Sequence, residues 1–328
     1  MALKQIRHIT LALTLVMAAF SATRTHAQVD AQLSHYWAVP AYYNPAATGN
    51  IDFIHISVGS RLQWLGIRHA PMSFHGMADM PFKFLNRRWG VGLNVESESM
   101  GLYRSFTGVG QLSWKKNMLG GTLSVGVQAG LLNETFKGSR IEMPETDDAH
   151  TSADDAIPQT DVTGNAFDLG AGIYFSHKKW WVGASVTHIN QPTVSLKTEG
   201  NEEDIYEFEA GRAYYLAGGC NIPIKNTLFE LQPSFFVKTD FQFYQAEVTA
   251  RVRYNKFLSG GVAYRYNDAI VAMLGAELKN FFVGYAYEYP MSAINKATKG
   301  SHELFVTYNI KLDMGEKNKN KHRSIRIM

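Results

Sequence analysis

The stretch Phe243–Tyr254, FYQAEVTARVRY, alternates between apolar and polar side chains. Its even positions are apolar or aromatic, namely Tyr244, Ala246, Val248, Ala250, Val252 and Tyr254. Its odd positions from 245 onward are polar, namely Gln245, Glu247, Thr249, Arg251 and Arg253. A period of two is typical of a β-strand, whose successive side chains point to opposite faces. An apolar face of this length with a tyrosine at each end suits a strand of an outer-membrane barrel, although taken alone it suits a soluble sandwich equally well.

The same alternation recurs along the chain and predicts about fourteen strands. They cover residues 51–64, 72–80, 89–99, 104–115, 122–131, 166–175, 180–187, 213–221, 227–239, 243–254, 257–266, 269–278, 281–289 and 302–310. Single-chain bacterial outer-membrane barrels have an even number of antiparallel strands.

The connections between these predicted strands alternate in length. If the N-terminus lies in the periplasm, the long connections 133–165, 188–212 and 290–301 are all extracellular, and tight ones such as 255–256 and 279–280 are periplasmic. Long loops on one side only are typical of membrane barrels, and a soluble sandwich has no reason to show them. We therefore predict an all-β protein, a transmembrane antiparallel β-barrel of about fourteen strands over residues 51–312.

The two ends of the chain differ from this strand region. Residues 1–27 are predicted to be a signal peptide, because Lys4 and Arg7 precede an apolar run and Thr25-His26-Ala27 offers small residues for cleavage after Ala27. The exported protein is then expected in the bacterial outer membrane. Residues 313–328 form a basic tail that strand parity places in the periplasm. The tail either docks on an acidic partner or the cell-wall polymer, or is a disordered solubilising end.

Composition and motifs exclude several classes of function. The net charge of +3 over 328 residues is too small to indicate nucleic-acid binding. The single cysteine, Cys220, excludes an intramolecular disulfide. No HExxH, paired CxxC or His-rich tract indicates a metal site, and no P-loop, dinucleotide fingerprint or GxSxG elbow indicates a cofactor or a nucleophile. We expect no metal, no cofactor and no enzymatic activity.

Two predicted extracellular stretches, 141–155 and 198–210, carry six acidic residues each. One interpretation is that they bind divalent cations at the cell surface. The other is that they are solvated loops kept open by self-repulsion. Neither stretch has the spacing of a calcium-binding loop, which favours the second interpretation.

The segment 28–50 has no clean period but is rich in aromatic residues. It contains His35, Tyr36, Trp37, Tyr42 and Tyr43. Because such side chains are costly to leave in water, we predict an ordered, extended segment on the periplasmic side or inside the lumen.

Two sequence elements between residues 30 and 81 resemble the PorP/SprF family of type IX secretion and gliding proteins. The first reads DAQLSHY over Asp30–Tyr36 and YNPAATG over Tyr43–Gly49. The second is Arg61-Leu62-Gln63-Trp64, followed by Ala70-Pro71 and by Asp79-Met80-Pro81.

The resemblance implies a non-enzymatic outer-membrane barrel of the type IX secretion system. The partners it implies, besides outer-membrane lipid, are periplasmic lipoproteins of the apparatus, a peptidoglycan-binding protein and a secreted adhesin. The candidate docking or structural residues are Tyr36, Tyr43, Asn44, Pro45, Arg61, Gln63, Trp64 and Pro71. Arg61 and Gln63 lie on the polar face of their strand, where they are expected to tie the N-terminal segment to the inner wall.

Two other functions stay open on the sequence alone. A barrel of this size is wide enough for a porin or for a transporter of apolar solutes unless its lumen is filled. The predicted inward charges, Glu96, Glu247, Arg251 and Arg253 together with Arg61, are a mixed set that would fill the lumen by pairing across it. A surface adhesin or receptor is the third candidate, and it would depend on the acidic loops.

Overall fold

The computed structural model describes residues 31–141, 158, 160–198 and 201–312, and over these it is dominated by one sheet of seventeen strands. The strands are β1 Phe53–Leu62, β2 Met72–Phe84, β3 Arg87–Met100, β4 Tyr103–Met118, β5 Gly121–Lys137, β6 Asp161–Ser176, β7 Trp180–Thr187, β8 Thr193–Thr198, β9 Asn201–Glu209, β10 Ala213–Cys220, β11 Ile222–Pro223, β12 Phe229–Thr239, β13 Tyr244–Tyr254, β14 Leu258–Arg265, β15 Ala269–Leu278, β16 Phe281–Pro290 and β17 Ser301–Lys311. The helices are α1, Pro40–Tyr43, and three 3-10 turns, Pro45–Ala47, Gly138–Arg140 and Ala293–Lys296. None of the described helices is long and apolar enough to cross a membrane.

Fourteen of the strands form a closed antiparallel barrel, which confirms the predicted fold. The first strand, β1, pairs with β2 on one side and with the last strand, β17, on the other. Strand β7 pairs directly with β10, so β8 and β9 stand outside the ring, and the short β11 only extends the edge beside β12. Each of the fourteen predicted strands corresponds to one strand of the ring.

The walls of the barrel are apolar outside and polar inside. On β13, Tyr244 and Val248 are 61% and 62% exposed, whereas Glu247 and Thr249 are each 1% exposed. Side chains of one parity therefore meet lipid while those of the other parity fill the lumen, as the alternation in this stretch predicts.

The two ends of the barrel differ. One end has tight turns, such as 85–86, 119–120 and 279–280, and the other has the longer connections 138–160, 188–212 and 291–300. Because membrane barrels keep short turns on the periplasmic side, we call these the periplasmic and the extracellular end.

The prediction of simple loops at the extracellular end is wrong in two places. Strands β5 and β6 run on into the predicted loop 133–165, and the predicted loop 188–212 contains the hairpin of β8 and β9, which pairs with β6. A small apolar cluster stabilises this extension, formed by Leu132, Val162, Val194, Leu196 and Ala210. Strand β9 likewise occupies most of 198–210, where a solvated loop was predicted. Of the acidic stretch 141–155, all residues after Ile141 lie outside the described residues.

Residues 31–50, which we call the plug segment, lie inside the barrel. Leu33, Val39 and Ala46 are fully buried there. Pro40 begins α1 and Pro45 begins the following 3-10 turn. Proline suits this position because the first N–H group of a helix has no partner within the helix, so its absence costs no hydrogen bond. The predicted signal peptide and basic tail lie outside the described residues.

Candidate functional site: the plugged lumen and its two cavities

Buried carboxylates of the wall hold the start of the plug segment. The backbone N–H groups of Ser34 and His35 donate to Glu303, at 2.7 and 3.1 Å, and the imidazole Nδ1 of His35 lies 2.5 Å from the same carboxylate. The hydroxyl of Ser34 donates to Glu288 at 2.6 Å. Hydrogen bonds to ionised groups are stronger than neutral ones, so these contacts anchor the plug segment firmly.

These carboxylates belong to a larger group, the lumen charge cluster, which consists of Arg61, Glu247, Arg265, Glu288 and Glu303. Arg265 donates to Glu247 at 2.8 Å and to Glu288 at 3.1 Å, and Arg61 donates to Glu288 at 2.6 Å. All five side chains are nearly or fully buried. Charges can remain in such a place only when they are paired and hydrogen-bonded. Arg61 therefore reaches the plug segment through Glu288, and it also donates to Gln63 at 3.1 Å.

Tyr36 and Tyr43 fasten the middle of the plug segment. The Tyr36 hydroxyl lies 2.8 Å from the Ser234 hydroxyl and donates to Thr249 at 3.0 Å. The Tyr43 hydroxyl accepts from the N–H of Leu33 at 2.7 Å, which ties the segment to itself, and both tyrosine rings pack on Phe236. Burial raises the pKa of Tyr36 to about 12 and that of Tyr43 well above its ordinary value, so both hydroxyls stay protonated.

Asn44 and Pro45 fit against a part of the wall that lacks side chains. The Asn44 amide donates to the carbonyl oxygens of Ile173, at 2.9 Å, and Ala184, at 3.2 Å, and its own oxygen accepts from the N–H of Ala46. The wall facing these residues is formed by Gly126, Gly172 and Gly183, where an added Cβ atom would collide with Asn44, Pro45 or Ala46. Glycine thus permits the close approach of the two backbones.

Two larger cavities flank the plug segment and share no lining residue. At the extracellular end, a cavity of about 770 Å³ is lined by Arg61, Gln63, Trp64 and Pro71 and by the start of the plug segment. At the periplasmic end, a cavity of about 210 Å³ is lined by Trp37, His55, Arg251, Arg253 and others. Between the two lie the buried residues from Leu33 to Tyr36 and the lumen charge cluster. The predicted docking residues are therefore divided between the plug segment and the extracellular mouth.

The four predicted lumen charges do not form one network. Glu247 belongs to the lumen charge cluster, whereas Arg253 pairs with Glu230 at 2.6 Å near the periplasmic end. Arg251 lies over the ring of Trp37. Glu96 lines a separate cavity of about 40 Å³ on the other side of the plug segment. Among the described residues, no group of three or more His, Cys, Asp or Glu side chains is placed to hold a metal ion.

The comparison with protein families matches nearly the whole chain. The family model described as type IX secretion system membrane protein PorP/SprF matches residues 25–308. This chain belongs to the PorP/SprF family. With its closed barrel, it is an outer-membrane protein of the type IX secretion system family. No curated protein sequence matches it significantly.

Solved structures with a similar fold are distant from this PorP/SprF chain. The toluene transporter TbuX of Ralstonia pickettii is 11% identical, with a TM-score of 0.48, and the match covers 82% of this chain and 92% of that one. A FadL homologue of Pseudomonas aeruginosa is 11% identical, with a TM-score of 0.47 and coverage of 81% and 92%. The outer-membrane protein Omp33 of Acinetobacter baumannii is 9% identical, with a TM-score of 0.45 and coverage of 79% and 99%. Likenesses this distant carry no conclusion about function.

The sequence analysis of this PorP/SprF chain missed several anchoring residues. Arg265, Glu288 and Glu303 were not singled out, nor was His35 as a partner of a carboxylate. On their strands, Arg265 and Glu288 are the only charged residues, and Glu303 is the only acidic one. A search for such isolated inward charges would have found them.

Proposed function

We propose that this PorP/SprF protein is a non-enzymatic docking component of the type IX secretion apparatus. Its partners would be periplasmic lipoproteins of the apparatus, a peptidoglycan-binding protein or a secreted adhesin. The observation that carries the proposal is the filled lumen. Because the plug segment is anchored by hydrogen bonds to buried carboxylates of the wall, the surfaces left to act on other molecules are the two ends of the barrel.

The form of the extracellular end supports a docking role. The extracellular end projects as the long strands β3–β6, of 14 to 17 residues, and as the hairpin of β8 and β9. Trp64 and Pro71 lie at the mouth on this side, where the backbone N–H of Trp64 donates to the hydroxyl of Ser301 at 3.1 Å. Tryptophan is enriched among the residues that dominate binding energy at protein interfaces.

In-cell photo-crosslinking tests the proposal. A photo-reactive amino acid would replace Trp64 at the extracellular mouth, Asn280 in a periplasmic turn or, as a control, the lipid-facing Val248. We expect the two end positions, but not Val248, to capture proteins of the secretion apparatus or a secreted adhesin, identified by mass spectrometry. Capture of no protein from either end, at normal barrel levels, would refute docking.

Electrical recording separates docking from transport. The purified wild-type protein in a planar lipid bilayer should show no large, steady open current, because the plug segment and the lumen charge cluster fill the barrel. A steady current of porin size would instead favour a transport pore.

A further inference from the structure

Arg251 is a cation inside the barrel that contacts no carboxylate of the described residues. Its guanidinium carbon lies 3.1 Å from the centre of the Trp37 ring, so the side chain is held by a cation–π contact with the plug segment. Among the described residues it forms no ion pair and no hydrogen bond, and its Nε atom is buried without an acceptor. Such an arginine is fixed in place but still has a buried N–H group without an acceptor.

The other titratable side chains that line the periplasmic cavity already have partners. Arg253 contacts Glu230 at 2.6 Å and Glu277 at 3.5 Å. His55 contacts Asp79 at 3.1 Å. Arg251 is therefore the one charged residue in the lining of this cavity that makes no contact ion pair with a described residue, and Glu277, already in contact with Arg253, attracts it only at longer range.

The lining of the cavity is suited to a carboxylate on a short hydrocarbon stem. Arg251 presents a planar group of donors, which matches the geometry of a carboxylate. The remaining lining is both polar and aromatic, and it includes Gln232, Phe257, Ser259, Phe282, Thr307 and Asn309. At about 210 Å³, the cavity has room for a group of side-chain size, well above the roughly 30 Å³ that a water molecule occupies in the liquid.

We propose that this periplasmic cavity binds an acidic side chain of a partner protein through Arg251. The inference rests on the docking function proposed above and assigns its periplasmic contact. The chain's own tail, residues 313–328, is a poor occupant by charge, because it carries five Lys or Arg residues against two acidic ones. An acidic peptide segment complements the cavity better.

Binding of a short acidic peptide to the mature protein in nanodiscs tests this inference. The probe is fluorescein-labelled hexaglutamate, with hexaglutamine as its uncharged counterpart, and binding is followed by fluorescence anisotropy. We expect saturable binding of hexaglutamate that weakens as salt is added, and no binding of hexaglutamine. Arg251→Gln should weaken hexaglutamate binding at least tenfold.

The matched control is Arg87→Gln, which removes the same charge from an exposed position at the same end of the barrel but outside the cavity. It should leave binding unchanged. If Arg251→Gln does not fold, Arg251→Lys replaces it, and that variant should also bind more weakly, because lysine acts only as a point charge.

Three results would overturn the assignment. The first is equal binding by wild type and the Arg251 variants. The second is competition by inorganic phosphate as strong as that by free hexaglutamate, which would indicate a general anion site. The third is much tighter probe binding after deletion of residues 313–328, which would make the chain's own C-terminal carboxylate the occupant. None of these results bears on crosslinking from the barrel ends, which decides the docking function separately.

Discussion

At the scale of single residues, the surroundings of an ion pair decide what it contributes. Arg265 is fully buried between Glu247 and Glu288, whereas Arg88 and its partner Asp52 are 33% and 59% exposed. Removing one partner of a buried pair leaves a charge in a poor solvent. Removing one partner of an exposed pair leaves a charge in water.

Arg265→Ala should therefore lower the free energy of unfolding by about 3–5 kcal/mol, because the buried carboxylate of Glu247 loses its cation and that of Glu288 keeps only Arg61. Arg88→Ala should lower it by less than about 1 kcal/mol. Urea unfolding in detergent, followed by tryptophan fluorescence, measures both variants. Similar losses in the two would contradict the assignment of the lumen charge cluster as an anchor.

The buried tyrosines of the plug segment predict a fall in stability at alkaline pH. Because burial raises the pKa of Tyr36 to about 12, the folded protein keeps a proton that the unfolded chain releases from about pH 10 upward. This contribution to stability is complete below pH 10 and is lost as the pH rises toward 12, by at most about 1.4 kcal/mol per pH unit. Tyr36→Phe should reduce the slope of unfolding free energy against pH in this window, and an unchanged slope would count against it.

At the scale of elements, the plug segment and the wall fit only because glycines line the contact. The Cβ atom of an alanine at position 126 would collide with the backbone of Pro45 and Ala46. At Gly108, on the adjacent strand β4, the nearest atom would be a side-chain carbon of Phe106 at 3.7 Å, an ordinary contact. The two positions form a matched pair.

Gly126→Ala should destabilise the protein by about 1–3 kcal/mol and loosen the plug segment, because a filled contact gains a methyl group it cannot accommodate. Brief current openings in planar bilayers and a lower unfolding midpoint would show this. Gly108→Ala should behave like the wild type. If Gly126→Ala were as stable and as closed as Gly108→Ala, the close packing of Asn44 and Pro45 on the wall would be refuted.

At the scale of the whole molecule, the barrel and its plug are separable in principle. The ring is closed by hydrogen bonds between β1 and β17 along ten residue pairs, Phe53–Lys311 to Leu62–His302, and none of these pairs involves the plug segment. Closure leaves the ring of fourteen strands without a free edge, which is what a barrel in lipid requires.

Deleting residues 32–48 should consequently leave a folded barrel with an open lumen. The inward charges would then be hydrated rather than buried, and a ring of fourteen strands is wide enough to conduct ions. Single-channel recording should show a large, steady current that the full-length protein lacks, while heat-dependent mobility in SDS gels reports folding. A folded but non-conducting deletion variant would show that other parts of the chain close the lumen.

The strands and their order were predictable because the signal is local. In stretches such as Phe243–Tyr254, the even or odd position of a residue determines whether it faces lipid or lumen. The short turns at Asn255-Lys256 and Lys279-Asn280 mark the ends of strands. The β8–β9 hairpin escaped prediction because its apolar contacts are with Leu132 and Val162, far away in sequence.

By itself, then, the sequence determined the barrel, the inward and outward faces and the family motifs, since lipid on one side and water on the other impose an alternation that can be read residue by residue. Only the tertiary structure decided that the plug segment lies inside the lumen, that Ser34 and His35 meet Glu288 and Glu303, and that Arg251 lies over the ring of Trp37. These partners stand more than 200 residues apart, and closing the ring is what brings them together.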